Sequence, residues 1–395
     1  MAILHNYINS VYTNSVTAGD NPAVYIHIPF CRKKCDYCDF VSMSIDADVV
    51  ANNPIDEYLE VLAEEFSLSL PFPVLPQTSS VANLLDLRSP PTIYIGGGTP
   101  SVLSEKQIEF LLTRLCAIFS VRKNTEFTFE VNPESVTESK LKILKDFGVN
   151  RLSFGLQAFD NNLLKTLGRV HTKEDFLEKF DLARKIGFEN INIDLIFGIP
   201  EQTLKNWQKT LTDIMAISPE HISVYSLTIE EGTSFHKNDV VVDDDLSADM
   251  FQFAIEYLKK NNYKHYEISN FCRPMRQCKH NINYWYNGEY IGFGLGAVSY
   301  IKGKRIKNTE NFTDYLGGKF QLTFEELNCE QKMSEDLMLG LRLIDGMKIL
   351  DNMREKFLTK INNLKNDGLL EEQDNFLKLT DRGIVFANCV FREFL

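Results

Sequence analysis

Val24–Phe40 reads VYIHIPFCRKKCDYCDF, a short apolar run followed by Cys31, Cys35 and Cys38 at CxxxCxxC spacing. Three thiolates this close on one loop suit a polynuclear iron centre, because each sulfur can reach a different iron of the same cluster. A zinc site usually takes four protein ligands, often as two separated pairs, and a disulfide would leave one cysteine over. Structural zinc and chance clustering stay open as alternatives. A [4Fe–4S] cluster on three cysteines keeps one iron without a protein ligand, able to bind a small molecule. The rest of the chain is expected to act as scaffold for that iron.

At 395 residues the chain is long for one domain. A hydrophobic content of 44% with 24% charged residues is that of a globular protein with a sizeable core. The net charge of −12 argues against nucleic acid or an acidic membrane as a broad partner, since phosphate contacts need clustered Lys and Arg. Eight cysteines are too few for a disulfide scaffold, and the tight cluster needs a reducing compartment. No stretch reaches the length of a membrane span, and residues 1–22 hold no Lys, no Arg and no signal-type apolar run. The expectation is a cytoplasmic protein with a short N-terminal arm.

Outward from the cysteine loop, strand-like runs recur: Val24–Ile28, Thr92–Ile95, Phe127–Val131, Arg151–Leu156, Ile191–Ile196 and His221–Leu227. Between them lie amphipathic segments, Ser104–Phe119, Thr137–Phe147, Thr172–Ile186 and Thr203–Ile217. Ser104 with Gln107 reads as a capping box, and Thr172 with Asp175 as a weaker one. Strand and helix alternating in this way predict parallel strands with right-handed crossovers. Six units are two short of a closed eight-fold barrel, so the expected fold is α/β, an open, TIM-like (β/α)6 arc. Pro71–Pro91 reads as a surface insertion. The predicted organisation is an arm over 1–22, the barrel over 23–235, a connecting segment over 236–300 and an α+β C-terminal domain over 301–395. That last domain closes on GLLEEQDNFLKLT and an amphipathic helix, a winged-helix-like pattern. Glu371, Glu372 and Asp374 stand where DNA contacts would be needed, which favours a packing or interaction role.

Functional groups of a parallel β/α barrel gather at the C-terminal ends of its strands. The first strand delivers the cysteine loop. The second ends in Gly96-Gly97-Gly98-Thr99-Pro100, whose missing side chains let backbone amides approach a ligand. The third ends at Glu130, the fourth at Gln157 with Arg169 beyond it. The fifth contains Asp194, and the sixth ends near Thr228.

The strings CRKKCDYC, YIGGGTPSVL, FEVNPES, RLSFGLQAF and IDLIFGIP together resemble the radical S-adenosylmethionine superfamily. Within it they resemble the branch of the oxygen-independent coproporphyrinogen III oxidases and their heme-chaperone relatives, from about Val24 to the C-terminus. That resemblance implies that Cys31, Cys35 and Cys38 ligate three irons, while the fourth chelates the amino and carboxylate groups of S-adenosylmethionine. Gly97, Gly98 and Thr99 would line the methionine part of the site, and Tyr25 and Tyr37 would border the cofactor. Glu130, Gln157, Arg169, Asp194 and the backbone near Thr228 would contact it. Carboxylates accept from ammonium or ribose hydroxyls, and arginine meets a carboxylate in bidentate fashion. One-electron reduction of such a cluster cleaves the sulfonium to a 5′-deoxyadenosyl radical.

Features that separate the two branch members point away from the oxidase. The oxidases typically continue the motif to a further cysteine, CxxxCxxCxC, where this chain has Phe40. They also usually carry a longer N-terminal segment, whereas 30 residues precede Cys31 here. Lys279–Trp285 reads KHNINYW, whose HNxxYW pattern resembles a heme-associated motif of the chaperones. The imidazole of His280 could then serve as an axial ligand with flanking aromatics on the porphyrin face. On the residues alone, His280 and Asn281 could equally cap a turn while Tyr284 and Trp285 enter the core. Cys272 and Cys278 read as ordinary thiols. The resemblance implies heme as cargo, a heme-acceptor protein (a membrane protein is one candidate class) and an electron donor. A homodimer is compatible with the composition but not demanded by it. The competing expectation is an oxidative decarboxylase of coproporphyrinogen III in porphyrin biosynthesis.

Overall fold

The computed structural model describes residues 21–45, 54–68 and 89–395. Residues 1–20 of the expected N-terminal arm and most of the Pro71–Pro91 insertion lie outside these residues.

Six parallel strands lie side by side in chain order. They are β1 (Ala23–Ile28), β2 (Thr92–Gly97), β3 (Glu126–Val131), β4 (Arg151–Gln157), β5 (Ile191–Phe197) and β6 (His221–Ser226). Each predicted strand is present to within two residues at its ends. Along them polar and apolar residues alternate with period two, the signature of strands whose faces meet different surroundings. Phe127 and Phe129, Leu152 and Phe154, Ile191 and Ile193 are buried against the helix layer. The other face carries Thr92, Thr128, Ser153, Asn192, Asp194 and Ser223. These side chains meet each other: Asn192 Nδ2 donates to Ser153 Oγ at 2.7 Å and to Asp194 Oδ1 at 2.9 Å.

The helix layer contains α1 (Pro54–Leu68), α2 (Glu105–Ile118), α3 (Glu138–Asp146), α4 (Lys173–Ile186), α5 (Leu204–Ile217) and α6 (Asp244–Lys260). Both predicted capping boxes form, Ser104 with Gln107 and Thr172 with Asp175, so each start is fixed by satisfied backbone donors. In α2 the buried residues are Ile108, Leu111, Leu112 and Leu115, one face of a 3.6-residue period. Trp207 of α5 is fully buried and donates its indole N–H to Met250 O of α6 at 2.8 Å. Truncating such a side chain costs about 3–5 kcal/mol.

The sheet continues past the six strands on both sides. Beyond β6 come β7 (Lys264–Glu267) and β8 (Asn270–Cys272), with β8 antiparallel to both β6 and β7. Beyond β1 comes β9 (Tyr290–Phe293), parallel to it. Then follow β10 (Val298–Ile301), β11 (Lys304–Asn308) and β12 (Gln321–Glu326) in antiparallel order. The resulting order is open, with β12 and β7 at its edges. A helix of seven residues, α7 (Lys279–Trp285), connects the two flanks.

The C-terminal region places α8 (Cys329–Gly340) before a three-stranded antiparallel sheet of β13 (Met347–Lys348), β14 (Leu370–Gln373) and β15 (Phe376–Leu379). Asp374 and Asn375 both take positive φ, 52° and 65°, the two-residue hairpin geometry that these residue types tolerate best. Two short helices, Asp381–Val385 and Ala387–Arg392, complete the winged-helix-like pattern. The acidic wing is neutralised within the fold: Glu372 pairs with Arg354 and Lys365, and Glu371 with Lys378. Among the described residues no helix is long and apolar enough to cross a membrane.

Candidate functional site

All six parallel strands deliver residues to one cavity of about 420 Å³ at their C-terminal ends. After β1, the cysteine loop contributes Cys31, Cys35, Tyr37 and Cys38. Gly97, Gly98 and Thr99 close β2, and Glu130 closes β3. Gln157 and Arg169 follow β4, Asp194 comes from β5, and Thr228 follows β6. Of the residues expected around the cofactor, Tyr25 alone is not on this lining. It stands beside Tyr94, with ring centroids 6.3 Å apart, and its hydroxyl lies 2.9 Å from His27 Nδ1.

Backbone bonds hold the cysteine loop from several sides. Gly98 N donates to Ile28 O at 2.9 Å and Thr99 N to Phe30 O at 2.7 Å, fastening the glycine turn beneath the loop. A Cβ on Gly98 would stand 2.8 Å from Phe30 O and 3.0 Å from Cys31 Sγ. Asp36 N donates to Leu167 O, and Phe235 N to Asp36 O, tying the loop to the far side of the mouth. His27 Nε2 donates to Val41 O at 2.7 Å and secures the chain where it leaves the loop.

The three cysteines are free thiols. Thr99 Oγ1 donates to Cys31 Sγ at 3.4 Å and Arg169 Nη1 to Cys35 Sγ at 3.5 Å. Burial pushes the Cys31 and Cys38 thiols up, so loading a metal group there releases protons. Three thiols on one loop are a donor set that would suit a polynuclear iron cluster, one sulfur to each of three irons.

Around the thiols the charges are set by burial and bonding. Burial pushes Glu130 up to about 7, opposed by Tyr94, whose hydroxyl donates to Oε1 at 2.7 Å, and by Gly97 N, 3.1 Å from Oε2. Burial also raises Asp194, which accepts from Ser153 Oγ at 3.0 Å and from Asn192. For Arg169 burial works against the charge, and Tyr37, Cys35 and Glu134 more than restore it. Its Nη2 donates to Gly155 O at 2.8 Å. Gln157 takes φ 71° at an irregularity in the β4–β5 register, a bulge that re-aims the strand end. The cavity thus offers thiols at one wall, a fixed guanidinium, the carboxyl groups of Glu130 and Asp194 and a glycine-lined backbone, a set able to hold a zwitterionic ligand with hydroxyls.

Tyr94, Asn132, Glu134, Ser153 and Tyr225 also line the cavity and were not singled out in the sequence. For Tyr94 and Ser153 the signal was available in the alternation of Thr92-Ile93-Tyr94 and Arg151-Leu152-Ser153, where every second residue is polar.

His280 is not on the cavity. It is 2% exposed, with Nδ1 2.8 Å from Thr92 Oγ1 and Nε2 3.1 Å from the Tyr284 hydroxyl. Heme ligation by His280 would require those bonds to open.

The family described as the Radical SAM superfamily matches residues 25–214, and that described as the HemN C-terminal domain matches 327–386. The heme chaperone HemW of Lactococcus lactis subsp. lactis is 36% identical over 389 residues, covering 94% of this chain and 97% of the relative. That of Bacillus subtilis is 36% identical with 94% and 99% covered, and that of Escherichia coli 31% identical with 94% and 98% covered. Among solved structures, coproporphyrinogen III oxidase from Escherichia coli superposes with a TM-score of 0.80 over 98% of this chain and 93% of the oxidase. At 22% identity that likeness shows the fold, a radical SAM partial barrel with its C-terminal domain, and no more. By its full-length relatives the chain belongs to the heme chaperone HemW family of radical SAM proteins.

Proposed function

We propose that the protein is a heme chaperone. It holds a [4Fe–4S] cluster on Cys31, Cys35 and Cys38, S-adenosylmethionine in the adjoining cavity, and heme as cargo for an acceptor protein. The observation that carries this is the convergence of three thiols, Arg169, Glu130 and Asp194 on one cavity in a chain of this family. When bound, the cluster supplies the electron for reductive cleavage of the sulfonium, drawn in turn from an electron donor.

The chain's own residues bind and orient. Arg169, fixed on Gly155 O, meets a carboxylate without first having to be ordered. Glu130 and Asp194 accept from ammonium or ribose hydroxyls. Gly97, Gly98 and Thr99 let backbone come close, Gln157 and the backbone near Thr228 close the far side, and Tyr37 covers the loop. Heme would lie across the mouth, on Phe40 (63% exposed), Val170 (52%) and Tyr225 (40%), all on the cavity lining. Lys33 and Lys34 on the same rim suit its two propionates. Phe40, where the oxidases usually carry a further cysteine, favours carriage of a flat apolar macrocycle over its oxidation.

The test is anaerobic reconstitution and reduction, then incubation with S-adenosylmethionine and coproporphyrinogen III, with heme transfer to an apo-acceptor followed in parallel. Transfer without porphyrinogen turnover is expected, and a Cys31→Ala/Cys35→Ala/Cys38→Ala variant should retain no cluster spectrum. Turnover to protoporphyrinogen would reverse the choice in favour of the oxidase.

A further inference from the structure

Two groups beside Arg169 have no part in the site as described so far. Glu134 follows β3 and lines the same cavity, and His171 lies between Arg169 and Thr172, the cap of α4. The His171 side chain is fully buried. Its Nε2 is 3.2 Å from Leu156 O, which can only accept, so Nε2 carries a proton. Nδ1 then accepts from Arg169 Nη2, 3.5 Å away, and Glu134 Oε2 stands 3.3 Å from the same nitrogen. An imidazole and a carboxylate thus bear on one edge of the guanidinium, while Gly155 O takes Nη2 at 2.8 Å. The backbone beneath is held as well, with Arg169 N donating to Leu164 O at 2.9 Å.

Burial opposes the charge of Glu134, but the imidazole and the charge of Arg169 outweigh it and hold the carboxyl below its ordinary range. The attraction is mutual, since Glu134 stands with Tyr37 and Cys35 among the groups that keep Arg169 charged in spite of burial. A cluster would commit Cys35 to iron, whereas Glu134 and His171 would stay with Arg169. We infer that Glu134 and His171 are positioning residues for Arg169: they keep its guanidinium charged and aimed before a ligand arrives, and so set the affinity of the cavity for the carboxylate end of S-adenosylmethionine. This rests on the cavity being the S-adenosylmethionine site. A long, flexible side chain that is fixed beforehand loses less freedom when the ligand binds.

The test is titration calorimetry on cluster-loaded protein with two ligands, S-adenosylmethionine and its decarboxylated form, which keeps the sulfonium and the amine. The variants are Glu134→Gln, Glu134→Asp, His171→Ala, Arg169→Ala and the double variant Glu134→Gln/Arg169→Ala. Glu134→Gln should weaken S-adenosylmethionine binding about tenfold, the lower range for loss of a partner that supports a binding group. His171→Ala should lose a comparable factor, and Glu134→Asp, which keeps the charge, should lose less. Affinity for the decarboxylated form should match wild type in all three, a result that general damage to the cavity would not give. The double variant should be no weaker than Arg169→Ala, because both changes act through one guanidinium. If Glu134→Gln takes up no cluster, His171→Ala, alone and combined with Arg169→Ala, decides in its place. If the decarboxylated form binds wild type too weakly to titrate, the double variant decides. Equal S-adenosylmethionine affinity in wild type and Glu134→Gln, equal losses for the two ligands, or additive losses in the double variant would each overturn the inference. A wild type that takes up no S-adenosylmethionine overturns the assignment of the cavity and this inference with it.

Discussion

Glu130→Gln gives the sharpest test of the cavity's electrostatics. The native carboxyl titrates at about 7 against an ordinary 4.5, chiefly because of burial. Between those values the native state keeps a proton that the unfolded chain has already released. Stability therefore falls as pH rises through that window and levels off above 7. At most each pH unit is worth about 1.4 kcal/mol and the whole window about 3 kcal/mol. The carboxylate is partly buried and faces a water-accessible cavity, so screening should leave about half of that. Glutamine cannot ionise. The unfolding free energy of cluster-free wild type, measured by urea denaturation from pH 4.5 to 8, should fall about 1.5 kcal/mol relative to Glu130→Gln. Asp194, which helps to raise Glu130, shares the titration, so the difference belongs to the pair. Parallel curves for the two proteins across this range would refute the burial argument.

Two further substitutions probe the scaffold. Gly98→Ala forces a Cβ to within 2.8 Å of the Phe30 carbonyl and 3.0 Å of Cys31 Sγ; iron and sulfide per reconstituted chain should fall well below wild type while the fold persists. Glu126→Ala strips α7 of its acceptor for two backbone donors; the urea midpoint should drop by an amount corresponding to about 2–3 kcal/mol.

The local part of this architecture is legible because its causes are local. The strand and helix order, the caps at Ser104 and Thr172, and the cysteine triplet each depend on residues within a few positions of one another. Strand ends named as site positions converge on one cavity because parallel strands in sequence order must bring their C-terminal ends together. Gln157 was named for its place at a strand end, but its bulge and positive φ arise from the register with β5 and leave no mark in RLSFGLQ. The sheet's growth through β9 to β12 was likewise hidden, since pairing Tyr290–Phe293 with β1 joins segments more than 260 residues apart.

His280 marks the boundary between the two kinds of information. Its sequence context identified a motif and left two fates for the imidazole, an iron ligand or a residue held within the fold. Only the tertiary structure brings Thr92, Tyr94, Glu126 and Tyr284 around it and gives each ring nitrogen a hydrogen-bond partner. The sequence by itself determined which groups the chain could offer: three thiols at cluster spacing, glycines at a strand end, acids on the third and fifth strands and an arginine in the loop beyond the fourth. The tertiary structure decided which of them share one space, because burial and hydrogen bonding depend on neighbours that the chain supplies from far away.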